Sequence, residues 1–337
     1  MMIKYKMIGE IKMNKITDDK LKFIDLFCGM GGFRIAFERN NCDCVFSSDI
    51  DSFAQKTYAE NFNETPVGDI TQVDAKDIPN HDIICAGFPC QAFSIAGKRL
   101  GFNDTRGTLF FDVARIIKEK QPKAFILENV KGITNHDNGN TLKTILNTLS
   151  DLGYDFKYKV LNAKHYNVPQ HRERWYCIGF RKDLGVNIDA FAFPEPQELT
   201  NTLESLIDSS AEDCYSISDV CSKNINKYIN EKSINVKKDT LAYEVRASRC
   251  QFKNDGISPC LTAKMGTGGN NVPIVIEQQR RLTERECLRI MGYPEEYKIN
   301  KGAQTYKQIG NSVVVPIITL LANEIVRLLT HNSEVTK

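Results

Sequence analysis

The 337 residues, 42% apolar and 26% charged, suffice for one large domain and one small one. With no signal peptide and no apolar run near the roughly twenty residues a membrane span needs, they read as a cytoplasmic protein. Eleven cysteines, an odd number with no CxxC pair and a closest spacing at Cys42 and Cys44, argue against a disulfide framework and a zinc cluster, so reduced thiols are expected. A net charge of +2 neither demands nor excludes nucleic acid, because 44 basic and 42 acidic residues can be sorted onto different faces.

Residues 1–20 are polar and basic and read as a tail. Beyond them, short β-rich runs at 22–27 (KFIDLF), 44–49 (CVFSSD), 81–88 (HDIICAGF), 124–129 (AFILEN) and 175–180 (WYCIGF) alternate with helical patterns. One helical face carries Leu109, Val113, Ile116 and Ile117 and ends before Pro122, and another helix is read at 141–153. The alternation predicts an α/β domain with a mostly parallel sheet and helices on both faces. From 194 to 280 the texture turns polar and broken, including GTGGNN at 266–271, which predicts a smaller inserted domain. Thr283 and Glu286 have the spacing of a capping box, with Gly292 and Pro294 as stop signals. The apolar run at 312–329 needs a core to cover it. The large domain is therefore assigned to 21–193 and 305–330, with 281–304 as a hinge.

In an open parallel sheet ligands gather at the carboxyl ends of the strands. The first strand ends in FCGMGG, whose glycines let the backbone approach a ligand, or simply make a tight turn into the helix near Phe33. Arg34 stands where a dinucleotide fingerprint would have its third glycine, which weakens a nicotinamide reading. Asp49 follows the second strand, where an acid can accept from ribose hydroxyls or cap a helix. Asp69 is placed to meet an adenine amino group or to serve as a turn residue.

Cys28, Cys85 and Cys177 lie in or beside strands, as small buried hydrophobes do. Cys90 instead follows proline in GFPCQAFS beyond the third strand, beside Gln91 and Ser94. The polar loop continues through Lys98, Arg99 and Arg106, able to contact phosphate. Glu128 ends the fourth strand, so a cysteine and a carboxylate converge as nucleophile and general acid. Arg172 and Arg174, two apart on an extended segment, share a face, a pattern that surface salt bridges also produce.

Taken in order, FIDLFCGMGG, GFPCQAFS, ENV, QHRER, LTERECLRIMGYP and QIGNSVV resemble the motif set of the DNA cytosine-5 methyltransferases, most closely the compact bacterial restriction-modification enzymes. The resemblance covers about 22–182 and 281–329 and implies a Rossmann-like fold that binds S-adenosylmethionine. It implies a cofactor pocket of Phe27, Gly29, Met30, Gly31, Asp49, Ile50, Asp69, Gly87, Pro89, Leu109, Asn311 and Val313. It also implies Cys90 as nucleophile, Glu128 at the ring nitrogen of the base, Arg174 at its carbonyl oxygen with Arg172 beside it, and 194–280 as the target recognition domain. Ile50 stands where many relatives have an aromatic residue, and Cys260–Leu261 replaces their Thr-Leu pair, leaving Thr262 as the hydroxyl for phosphate.

The implied reaction is methylation of carbon 5 of a cytosine flipped out of double-stranded DNA, after a thiolate adds at carbon 6. Recognition falls to Arg246, Arg249, Gln251, Lys253 and the 266–271 loop. The expected setting is a monomer beside a possible cognate restriction endonuclease. An RNA cytosine-5 methyltransferase is the runner-up, which the sizeable insertion disfavours. A non-catalytic DNA-binding regulator would need none of Cys90, Glu128 and Arg174, and a Rossmann oxidoreductase lacks its third glycine and a hydride-site histidine.

Overall fold

A computed structural model describes residues 20–89, 109–268 and 271–335. Six strands form the main sheet: β1 (Lys22–Leu26), β2 (Asp43–Ser48), β3 (Ile83–Ala86), β4 (Ala124–Val130), β5 (Tyr154–Asn162) and β6 (Glu173–Arg181), in the order β2-β1-β3-β4-β6-β5. The first four run parallel, while β6 lies antiparallel to both β4 and β5. Alternate residues of the buried strands feed opposite faces, so Phe23, Cys85 and Ile126 join one core and Ile24, Leu26, Ile84 and Leu127 the other. Burial on both faces is why these strands appear in the sequence as unbroken apolar runs.

The helices that cover the sheet follow the same arithmetic. Between the strands run α1 (Gly32–Glu38), α2 (Ser52–Phe62), α3 (Leu109–Lys120) and α4 (Asn140–Asp151). Phe110, Val113, Ile116 and Ile117 of α3 and Ile145 and Leu149 of α4 seal one face. Strand β5 is missing from the sequence reading. It is an edge strand whose apolar residues Phe156, Tyr158 and Val160 are only partly covered and alternate with Asp155, Lys157 and Lys159, a polar texture that protects a free edge.

Beyond β6 come α5 (Leu203–Leu206) and α6 (Asp219–Lys232), then β7 (Leu241–Arg246), β8 (Arg249–Lys253), β9 (Ile274–Val275) and β10 (Arg280–Arg281). The four strands form a second, antiparallel sheet in the order β10-β9-β7-β8. Cys221 and Ile225 of α6 pack on it. Leu241, Leu261, Met265 and Val275 also belong to the core of the main sheet, so the two sheets are joined by apolar packing.

The chain ends in α7 (Glu284–Met291), α8 (Ala303–Asn311) and α9 (Val315–Val335). The capping box on α7 is present, with Thr283 accepting from the Glu286 backbone and Glu286 returning to the Thr283 N–H. The stretch 303–330 is long and apolar enough to cross a membrane by length and composition. Its apolar face is nonetheless buried here: Val315, Ile318, Leu321, Ala322 and Ile325 are fully enclosed in the core, the cover that 312–329 requires.

Candidate active site and cofactor cavity

The carboxyl ends of β1 to β4 open into one cavity of about 580 Å³, within the range of small-molecule sites. Phe27 and Gly29 contribute from the β1 turn, Ser48 to Asp51 from β2, Gly68 to Thr71 from the loop below α2, and Gly87 to Pro89 from β3. Leu109 closes one side, Asn129, Val130, Arg172 and Arg174 another, and Lys307, Gln308, Gly310 and Asn311 of α8 a third.

The β1 turn is held open by left-handed backbone at Phe27, Gly29 and Gly31. Phe27 adopts a conformation unfavourable to a side chain, the kind of strain that gathers at binding sites. A methyl group on Gly31 would lie 2.4 Å from the Phe62 ring, so only glycine fits there. Asp49 accepts from the Gly29 N–H and the Asp51 N–H, each at 2.8 Å. Burial pushes its carboxyl up, and these two N–H groups pull the other way. Asp51 caps α2 and pairs with Lys307 Nζ at 2.9 Å. Although burial resists its charge, the lysine and the cap hold its carboxyl below the ordinary range. Asp69 caps a short turn by accepting from the Thr71 N–H, and it also lines the cavity.

At the end of β4, Glu128 is buried and bonded to Arg174 Nε at 3.1 Å. Burial raises its carboxyl, opposed by the charges of Arg174 and Arg172. Its neighbour Asn129 donates to the Phe88 carbonyl at 2.8 Å, which ties the strand end leading to residue 90 to the strand end that carries the acid. Gly87 belongs to the same junction, since a methyl group there would sit 3.6 Å from Glu128 Oε2.

Of the expected cofactor residues, Phe27, Gly29, Asp49, Ile50, Asp69, Gly87, Pro89, Leu109 and Asn311 line the cavity, whereas Met30, Gly31 and Val313 do not. Met30 is buried in the core, with its carbonyl accepting from Tyr297, and Val313 packs behind Gly32. Cys90, Gln91, Ser94, Lys98, Arg99 and Arg106 lie outside the described residues.

Arg172 reaches the cavity wall with a buried Nε that meets no partner among the described residues, but its two terminal nitrogens are committed elsewhere. They bond the carbonyls of Leu261 at 2.5 Å, Gly310 at 3.1 Å and Ser312 at 2.6 Å, which makes it a brace beside the acid rather than the acid's partner. In the second sheet, Arg246 donates to Asn271 Oδ1 and Arg249 pairs with Glu244; Thr262, in the segment between β8 and β9, is exposed. The sequence reading passed over Asn129, Asp51 and Lys307. Asn129 adjoins a residue already singled out. Lys307 precedes Asn311 by one helical turn, a spacing that places both on one face of α8.

A family model for C-5 cytosine-specific DNA methylases matches residues 21–327. The chain belongs to that family. This methylase is 46% identical to the type II methyltransferase M.HhaI of Haemophilus parahaemolyticus, over 94% of this chain and 97% of that protein. It is 44% identical to M.HpaII of Haemophilus parainfluenzae, over 95% and 93%. Among solved structures, a Spodoptera frugiperda DNMT2 mutant superposes with a TM-score of 0.68 at 22% identity, covering 92% of this chain and all of that one. Entamoeba histolytica EhMeth gives 0.68 at 20%, covering 93% and 99%; both share the fold. Methylases of this family take their methyl group from S-adenosylmethionine. The cavity suits that group in size and chemistry: glycine lets the backbone come close at the β1 turn, Asp49 and Asp69 line the cavity with carboxylates that can accept from hydroxyl and amino groups, and Ile50 offers an apolar surface.

Proposed function

We propose that this enzyme methylates carbon 5 of cytosine within a short specific site of double-stranded DNA, through a covalent bond from Cys90. The observation that carries the reading is the buried Glu128–Arg174 pair, tied through Asn129 to the strand end that leads to residue 90. A base brought to this corner meets an acid whose burial favours its protonated form and a guanidinium suited to a carbonyl oxygen. Stacked in a duplex it could not reach them, so the cytosine must be flipped out, at a cost of a few kcal/mol.

Carbon 5 of cytosine is a weak nucleophile until the Cys90 thiolate adds at carbon 6, while Glu128 delivers a proton to the ring nitrogen and Arg174 holds the carbonyl oxygen. S-adenosylmethionine, when bound, supplies an electrophilic methyl group on its sulfonium for the activated carbon. Loss of the carbon 5 proton to water, departure of Cys90 as thiolate and return of the ring-nitrogen proton to Glu128 then restore the ring. Phe27, Gly29, Asp49, Ile50, Asp69 and Asn311 would hold the cofactor. Arg172 positions the corner by bracing the three segments around it.

Residues 194–280 are assigned to target recognition, with Arg246, Arg249 and Thr262 on the DNA side. The type II relatives support a role in protecting DNA beside a cognate restriction endonuclease in the cytoplasm. One chain carries the cavity, the acid and the recognition region, so a monomer suffices. Bisulfite sequencing of DNA from cells expressing the protein tests the reading. It should reveal one short motif protected at a single cytosine, and conversion of every cytosine would contradict it.

A further inference from the structure

The recognition side and the cofactor cavity meet at α8, whose Lys307 and Gly310 line the cavity and also pack against the turn at 262–268. On the recognition side, Arg246 donates to Asn271 Oδ1 at 2.7 Å and Asn271 Nδ2 donates to Thr267 Oγ1 at 3.1 Å, within the turn that precedes β9. That turn lies against α8 without slack. A methyl group on Gly266 would stand 2.6 Å from the Ala303 carbonyl oxygen and 2.8 Å from Lys307 Cβ, and one on Gly310 would stand 2.1 Å from the Thr262 carbonyl carbon. On the cavity side, Lys307 Nζ bonds Asp51, whose N–H bonds Asp49, whose other oxygen holds the Gly29 N–H of the β1 turn.

Packing this close cannot absorb a displacement, so a shift of the Thr262–Gly268 turn has to move α8 or break the bond from Lys307 to Asp51. We infer that Lys307 is a positioning residue that couples engagement of DNA by the recognition segment to the affinity of the cofactor cavity. The inference rests on the assignments of cavity and recognition region made under the proposed function. Linkage makes the coupling reciprocal, so bound duplex tightens the cavity for the cofactor by the factor with which the cofactor tightens the duplex.

The test measures the Kd of S-adenosylhomocysteine, which cannot react, with and without a duplex carrying the bisulfite-mapped site. The unaltered enzyme should bind it about tenfold tighter with duplex present. In Lys307→Met that ratio should fall to within about twofold of one, Asp51→Asn should lose it from the other partner, and Lys307→Arg should keep most of it. A ratio in Lys307→Met equal to that of the unaltered enzyme would overturn the inference. So would loss of S-adenosylhomocysteine affinity by one factor in both conditions with the ratio intact, which would make Lys307 a plain ligand contact. An unaltered enzyme that binds duplex but not S-adenosylhomocysteine would refute the cavity assignment itself, and this inference with it.

Discussion

Glu128 shows how one residue's surroundings set its chemistry. Its carboxyl is taken out of water at the end of β4, yet one oxygen stays bonded to Arg174, so the group is raised by burial while its orientation is fixed. Glu128→Gln keeps the shape and removes the proton that the proposed mechanism passes to the ring nitrogen. The variant should bind cofactor within about threefold of the unaltered enzyme and turn over about a hundredfold to ten-thousandfold more slowly. Single-turnover methylation with tritiated cofactor measures this, and a loss of less than about threefold would remove Glu128 from the chemistry. The position of this acid was legible because it ends an apolar run in ENV. Met30 and Val313 were not so legible: a motif gives a residue's place along the chain, while the local backbone decides whether its side chain meets the cavity or the core behind it.

Among the elements, Arg172 joins the start of β6, the segment entering the recognition turn and the junction of α8 with α9. Removing its guanidinium leaves three buried carbonyls to be satisfied again, at about 1–3 kcal/mol each where water cannot enter. Arg172→Ala should therefore lose at least about 3 kcal/mol in chemical denaturation, and Arg172→Lys should recover less than half of that, because one ammonium cannot fork across three acceptors. Full recovery by lysine would show that charge alone matters. The sequence placed this arginine at the site but could not distinguish a brace from a base contact, since both appear as one arginine of a pair on an extended strand. For the same reason β1 to β4 and α3 were legible from buried, periodic apolar residues, while β5 was hidden by its lysines.

At the scale of the whole molecule, the proposed reaction depends on the ends of β3 and β4 meeting at one corner, where Asn129 bonds the Phe88 carbonyl. The order of the motifs made this arrangement legible, because parallel strands of one sheet bring their carboxyl ends together whatever their separation in sequence. The contact between the recognition turn and α8 was not legible, since it joins Gly266 to Lys307 and Gly310 to Thr262 across folded distance alone. A duplex bearing 5-fluorocytosine at the target tests whether Cys90 bonds to the base. Fluorine cannot leave carbon 5 as a cation, so once that carbon is methylated the thioether to carbon 6 has no route to break. Unaltered enzyme should give a protein–DNA band that survives denaturing electrophoresis, requires S-adenosylmethionine and is absent for Cys90→Ser, whose hydroxyl is too weak an acid to attack without a dedicated base. A band that persists in Cys90→Ser, or none from unaltered enzyme that methylates ordinary DNA under the same conditions, would contradict a covalent bond from Cys90.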